Sequence, residues 1–178
     1  MNSLVSFIAA RFPGKEYRFH EKIQSLWSGY GSIERWKNCY EESIVIKHIQ
    51  FPDNHNHPRG WNSAFGHLRK VKSYEVENTW YENFAHKSFA RVPRKLLYDK
   101  TGDSQVMVLE DLNASGFFVR PEYINEKQFK ACLSWLAQFH AGFMNNEGEG
   151  LWNTGTYWHL GTRPEEFKQM KSGPLKKY

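Results

Sequence analysis

Between Ser43 and Ile49 the chain reads Ser-Ile-Val-Ile-Lys-His-Ile, an apolar and β-branched run with a lysine inside it. β-Branched side chains pack well on a pleated surface, so the run is a strand. Side chains alternate along a strand, which puts Lys47 on the same face as Val45 and Ile49. An ammonium on such a face is partly desolvated, and an unpaired buried charge is costly. Whatever this chain folds into must therefore bring an anion to Lys47.

The segment that follows supplies one. Val71, Tyr74, Tyr81 and Phe84 recur at helical spacing and predict a helix from about Leu68 to Ala85. Glu77 comes three residues after Tyr74 and four before Tyr81, so it shares the inward stripe. Glu75 is the rival, but two residues turn it by roughly 200° around the helix, toward the wetter side. Glu77 is the preferred partner. A strand lysine paired to a helix glutamate is how kinases hold a lysine against the α and β phosphates of ATP. A purely structural ion pair at a helix–sheet interface uses the same two residues, and they alone do not separate the two readings.

Around this pair the pattern predicts further elements. A short helix leads the chain, with Leu4, Phe7 and Ile8 at helical spacing and a break at Pro13-Gly14. Strand-like runs follow from Ile23 to Tyr30 and from Ile33 to Trp36, before the strand that carries Lys47. Phe51 to Gly66, with two Pro, two Gly and three Asn, reads as a long loop. Lys95 to Tyr98 and Gln105 to Leu109 are strands joined by the turn Lys100-Thr101-Gly102-Asp103, and the second is apolar on both faces, hence central. A long helix spans about Glu126 to Met144, opened by the capping pair Asn125 and Gln128, with Phe129, Cys132, Leu136, Phe139 and Phe143 as its buried stripe. A short helix is expected from Pro164 to Lys171.

The fold class is therefore α+β: a five-stranded antiparallel sheet with a flanking helix over residues 1–112, then a linker near Asn113 to Tyr123 and the first helices of a mainly helical lobe within 113–178. Composition narrows the function classes. The chain has 178 residues, 16% aromatic and 24% charged, enough to bury a core and too polar for a membrane protein. It contains no apolar run of membrane-spanning length and no signal-peptide pattern, so a cytoplasmic protein is expected. Cys39 and Cys132 lie far apart, which argues against a disulfide framework or a cysteine-based zinc site. A net charge of +5 suits a polyanion, but without a Lys/Arg run longer than a pair or a stacking pattern no nucleic-acid partner is expected.

Two further segments fit a nucleotide. Ser28-Gly29-Tyr30-Gly31-Ser32 lies at the turn ahead of the lysine strand, where Gly29, Gly31 and Ser32 would let backbone N–H groups approach phosphate oxygens; an ordinary tight turn explains the glycines equally. Val108-Leu109-Glu110-Asp111-Leu112 is a central strand running into two acids, where the Glu110 C=O and Leu112 N–H would meet adenine; the alternative is an acidic strand exit without a ligand.

In order and spacing, GYGS, SIVIKHI, HPRGWN, RKVKSYEVENTWYENF, VMVLEDLNASGF, CLSWLAQFHAGF and GLWNTGTYWHLGTRPEEF resemble the ecdysteroid kinase-like and choline kinase-like branch of the aminoglycoside phosphotransferase, or protein-kinase-like, fold, over about Gly29 to Phe167. The resemblance implies a nucleotide-binding lobe in which Lys47 positions ATP phosphates, Glu77 holds Lys47, and Glu110 to Leu112 form the adenine hinge. It also implies transfer of the γ-phosphate, with magnesium, to a hydroxyl of a choline-like, aminosugar or other small alcohol.

That family's catalytic loop reads His-Gly-Asp followed by a metal-binding Asn, with a second metal-binding Asp later, and this pattern is not in the chain. His140-Ala141-Gly142 with Asn145 has glycine where the base belongs and lies in a helix, so His140 reads as structural and no catalytic residue or magnesium ligand is assigned. Without the acid nothing accepts the hydroxyl proton, so the chain alone is expected to be inactive. It ends at Tyr178 where a second lobe would be assembled, as expected of a shortened or proteolysed piece of a longer protein or of an early-terminated reading frame, and the helix faces that a truncated lobe exposes would favour self-association. A non-catalytic nucleotide-sensing or interaction module is the alternative. His55, His57 and His67 lack the acidic or cysteine companions of a metal site. Trp152, Tyr157, Trp158 and His159 suit core packing of the second lobe better than an acceptor-binding wall.

Overall fold

The computed structural model describes residues 4–51, 64–154 and 159–169. Its elements run α1 (Leu4–Arg11), β1 (Arg18–Ser25), β2 (Gly31–Lys37), β3 (Ser43–Gln50), α2 (Ala64–Asn83), β4 (Lys95–Thr101), β5 (Ser104–Glu110), α3 (Glu126–Phe143) and α4 (Pro164–Gln169). The strands form one five-stranded antiparallel sheet in the order β1-β2-β3-β5-β4. This is the expected α+β architecture.

The alternation of β3 builds two different faces. Ile44 and Ile46 point one way and pack with Trp36, Val106, Val108 and Ile8 of α1. Each of these side chains is almost fully removed from water, which stabilises the fold by about 1.5–3 kcal/mol per large aliphatic group. Ile49 points the other way, into a cluster with Leu26 and Tyr30, on which Tyr74 of α2 rests. Helix α1 thus covers one face and α2 the other. β5, apolar on both faces, lies between β3 and β4, where Met107 and Val108 are buried.

β1 is displaced from the expected Ile23 to Tyr30. It begins at Arg18 and ends at Ser25, and Trp27–Gly29 forms a 3-10 turn instead. All eight β1 residues are exposed and its pairing with β2 slips twice, between Phe19 and Glu21 and between Lys22 and Gln24. A charged, irregular edge strand carries no buried alternation to read, and such edges resist pairing with other chains. Helix α2 begins at Ala64, so Ala64 to Gly66 belong to it rather than to the expected loop; residues 52–63 of that loop lie outside the described residues. The β4–β5 hairpin closes through Gly102, at φ +56°, and Asp103.

Helix α3 opens as its sequence specifies: Asn125 Oδ1 accepts from Gln128 N–H at 2.9 Å and Gln128 Oε1 accepts from Asn125 N–H at 2.9 Å. Its stripe, however, is not buried along its length. Phe129 is 49% and Leu136 42% exposed, and Cys132 is exposed. The C-terminal half of α3 meets α2 through Phe139 and Phe143 against Trp80, and Phe143 also packs on Phe84 just beyond α2. Trp135 adds a hydrogen bond from Nε1 to the Arg91 carbonyl, 2.8 Å.

Candidate nucleotide site

Lys47 Nζ pairs with Glu77 Oε2, joining β3 to α2. The lysine side chain is 13% exposed and the glutamate 33%. Local sequence explains the meeting. On β3 the residue is flanked by inward-facing Ile44, Ile46 and Ile49, which fix the strand, and on α2 the i, i+3, i+7 row Tyr74, Glu77, Tyr81 faces the sheet. The Tyr74 ring lies 5.0 Å from Lys47 Nζ, close enough for a cation–π contact. Burial and the negative charge of Glu77 push the Tyr81 hydroxyl up to about 12. Glu75 serves another strand: it accepts from Lys100 Nζ at 3.0 Å.

The glycine turn is shaped by the sheet. Gly29 and Gly31 hold φ +74° and +120°. A Cβ on Gly31 would stand 2.0 Å from the His48 carbonyl oxygen, so its glycine is required by close approach to β3. Tyr30 between them is buried, and its hydroxyl is hydrogen-bonded to His67 Nδ1 at 2.8 Å. The Ser32 hydroxyl donates to Glu34 at 2.7 Å, and by strand alternation Ser32 lies on the face opposite Lys47. The structure therefore brings Gly31 to β3 near Lys47 but turns the Ser32 side chain away.

At the exit of β5, Glu110 is held by Arg91, by Arg94 N–H at 3.0 Å and by Ser115 Oγ at 2.6 Å. The Ser115 hydrogen bond leads in holding its carboxyl down at about 2, against a burial effect in the other direction, with help from Arg94 N–H and Arg91. The Leu112 carbonyl accepts from Phe117 N–H at 2.8 Å, folding the chain back just after the strand.

The sequence marks Asp111, between them, only as part of an acidic exit. It is 3% exposed. Its Oδ2 accepts from Arg35 Nε at 2.6 Å and Ser43 Oγ at 2.7 Å, and its Oδ1 from Asn113 N–H at 3.0 Å. Burial pushes this carboxyl up, but Arg35, Ser43 and Asn113 N–H outweigh it and hold it below the ordinary range. Arg35 stands opposite Val45, and Ser43, Val45 and Lys47 alternate onto one face. A single sheet face thus carries the Lys47–Glu77 pair at one end and the Arg35–Asp111–Ser43 group at the other. An arginine in a strand and an acid at a strand exit were the available signals.

Among the described residues no group of three or more His, Cys, Asp or Glu side chains could hold a metal ion. His55 and His57 lie outside the described residues, as do Tyr157 and Trp158. His140 is exposed on α3, and Gly142 packs so closely that a Cβ added there would lie 3.3 Å from the Lys87 carbonyl oxygen.

Residues 66–149 match the family model described as the ecdysteroid kinase-like family. No curated protein matches the chain. Glu77, the Glu110 to Leu112 exit and α3 all fall inside the matched stretch, whereas Lys47 precedes it and is tied to it through Glu77. Over residues 66–149 the chain is thus similar to the ecdysteroid kinase-like family.

Proposed function

We propose that this chain is the nucleotide-binding portion of an ATP-dependent phosphotransferase acting on the hydroxyl of a choline-like, aminosugar or other small alcohol. The Lys47–Glu77 pair, reaching from β3 into a helix matched by the kinase-like family model, carries the reading. Lys47, held by its pairing with Glu77, stays placed to take the α and β phosphates. The turn at Gly29, Gly31 and Ser32 lies ahead of it to cover the phosphates, and the Glu110 C=O and Leu112 N–H take adenine.

Magnesium would accompany ATP in such chemistry, carried chiefly by the phosphates and one or two carboxylates. The chain contains no His-Gly-Asp sequence, and its proposed task is to bind and orient the nucleotide rather than to turn it over. That same observation favours a second reading, a nucleotide-sensing module. Among the described residues no helix is long and apolar enough to cross a membrane, and a cytoplasmic setting is proposed.

Isothermal titration of the folded chain with ATP, with and without magnesium, tests the reading. Binding should occur and weaken at least tenfold in Lys47→Ala. A folded chain that shows neither heat nor a thermal shift with any adenosine nucleotide would remove the proposal's support. The encoding frame read past Tyr178 separates the two readings: a downstream His-Gly-Asp sequence favours the phosphotransferase, and a stop favours the sensing module.

A further inference from the structure

We propose that Asp111 is a positioning residue for the adenine end of the nucleotide, an inference that rests on the reading above. Two consecutive acids leave β5 and are anchored in different directions. Glu110 is tied to the segment that enters β4, through Arg91 and Arg94, and forward to Ser115. Asp111 is tied back into the sheet, to Arg35 of β2 and Ser43 at the start of β3, and forward to Asn113 N–H. Arg35 in turn pairs with Glu21 of β1, so the chain of contacts crosses from the edge strand to the exit of the central one.

The backbone between and beyond these anchors is folded on itself. Ser115 N–H donates to the Asp111 carbonyl at 3.2 Å, Gly116 N–H to Asn113 at 3.2 Å and Phe117 N–H to Leu112 at 2.8 Å. Residues 110–117 therefore form a bracket whose angle to the sheet is set by one buried carboxylate with donors from β2, β3 and the loop. A base bound by main-chain groups gains affinity only when those groups are already in place, because ordering them on binding is costly.

Position on the sheet separates this role from a merely structural one. Ser43 and Lys47 share a face, and four strand residues span about 13 Å. The carboxylate thus acts at the far end of the face from the phosphate-binding lysine and should influence base recognition while leaving phosphate recognition alone. Asp111→Asn keeps the shape of the side chain, removes the charge that holds Arg35, and replaces one acceptor oxygen by a donor.

Adenosine and inorganic tripolyphosphate, titrated separately, read the two ends. Asp111→Asn should weaken adenosine at least tenfold and change tripolyphosphate less than twofold; Lys47→Ala should do the reverse. Ser43→Ala removes one donor, keeps the ion pair, and should shift the adenosine-to-tripolyphosphate ratio in the same direction by less, which preserves the test if the asparagine variant does not fold. An unchanged ratio in folded Asp111→Asn or Ser43→Ala, with the unsubstituted chain binding both probes, overturns the role of Asp111 alone. Absence of binding of either probe to the unsubstituted chain overturns the nucleotide reading itself.

Discussion

Glu75 and Glu77 stand two residues apart on α2 and serve different strands: Glu77 pairs with Lys47 on β3, and Glu75 accepts from Lys100 on β4 at 3.0 Å. The two pairs differ in burial, with Lys47 at 13% and Lys100 at 43% exposure. Loss of Glu77 strands a mostly buried ammonium, whereas loss of Glu75 strands one that water can reach.

Glu77→Gln should accordingly lower stability by about 1–3 kcal/mol, between the values for exposed and buried pairs, and Glu75→Gln by less than about 1 kcal/mol. Urea denaturation monitored by the Trp emission measures both. Equal losses would mean that Lys47 is no more dependent on its partner than Lys100 is.

Gly31 and Gly29 offer a second contrast on the same turn. An alanine at Gly31 meets the His48 carbonyl oxygen at 2.0 Å and must hold φ +120°, while an alanine at Gly29 meets open space at φ +74°. Gly31→Ala should cost at least about 2 kcal/mol from strain and crowding together, and Gly29→Ala about 1–2 kcal/mol from the left-handed conformation alone. Thermal melts of the two variants decide the order.

The cap of α3 is a local interaction and should act locally. Asn125→Ala removes the acceptor for Gln128 N–H and should lower stability by about 1 kcal/mol, with Gln128→Ala doing less because the Asn125 side chain still caps. Far-ultraviolet circular dichroism on heating, which reports loss of helix, measures the difference.

These three predictions also mark what could be read before the fold was known. Periodicity placed Lys47 on a face and Glu77 on a stripe, and spacing placed the Asn125–Gln128 cap, because each depends on residues a few positions apart. β1 was misplaced because its eight residues carry no buried alternation; its existence depends on pairing with β2. The burial of Phe129 and Leu136 was misjudged because amphipathicity shows that a helix can bury a face, while what lies against that face is decided elsewhere in the molecule. The Arg35–Asp111 contact joins residues 76 positions apart, a distance over which a single sequence carries no pairing signal.

Glu110 gives the chain an acid-sensitive element whose direction follows from its surroundings. Its carboxyl, ordinarily near 4.5, is held at about 2 in the folded chain, chiefly by Ser115 and with Arg94 N–H and Arg91 assisting against burial. The unfolded chain therefore takes up this proton first as pH falls. The stabilisation from Glu110 is complete above about pH 5 and is lost progressively as pH drops toward about 2. Glu110→Gln should be less stable than the unsubstituted chain at neutral pH, and the gap in urea midpoint should narrow steadily as pH falls from about 5 toward about 2. Asp111, also held below its ordinary range, remains in that variant and keeps a residual acid dependence of the same sign. Ser115→Ala removes the leading cause, raises the folded-state value, and should move the acid loss of stability to higher pH. A gap that stays constant down to pH 3 would show that the Glu110 carboxylate is no better accommodated in the folded chain than in the unfolded one.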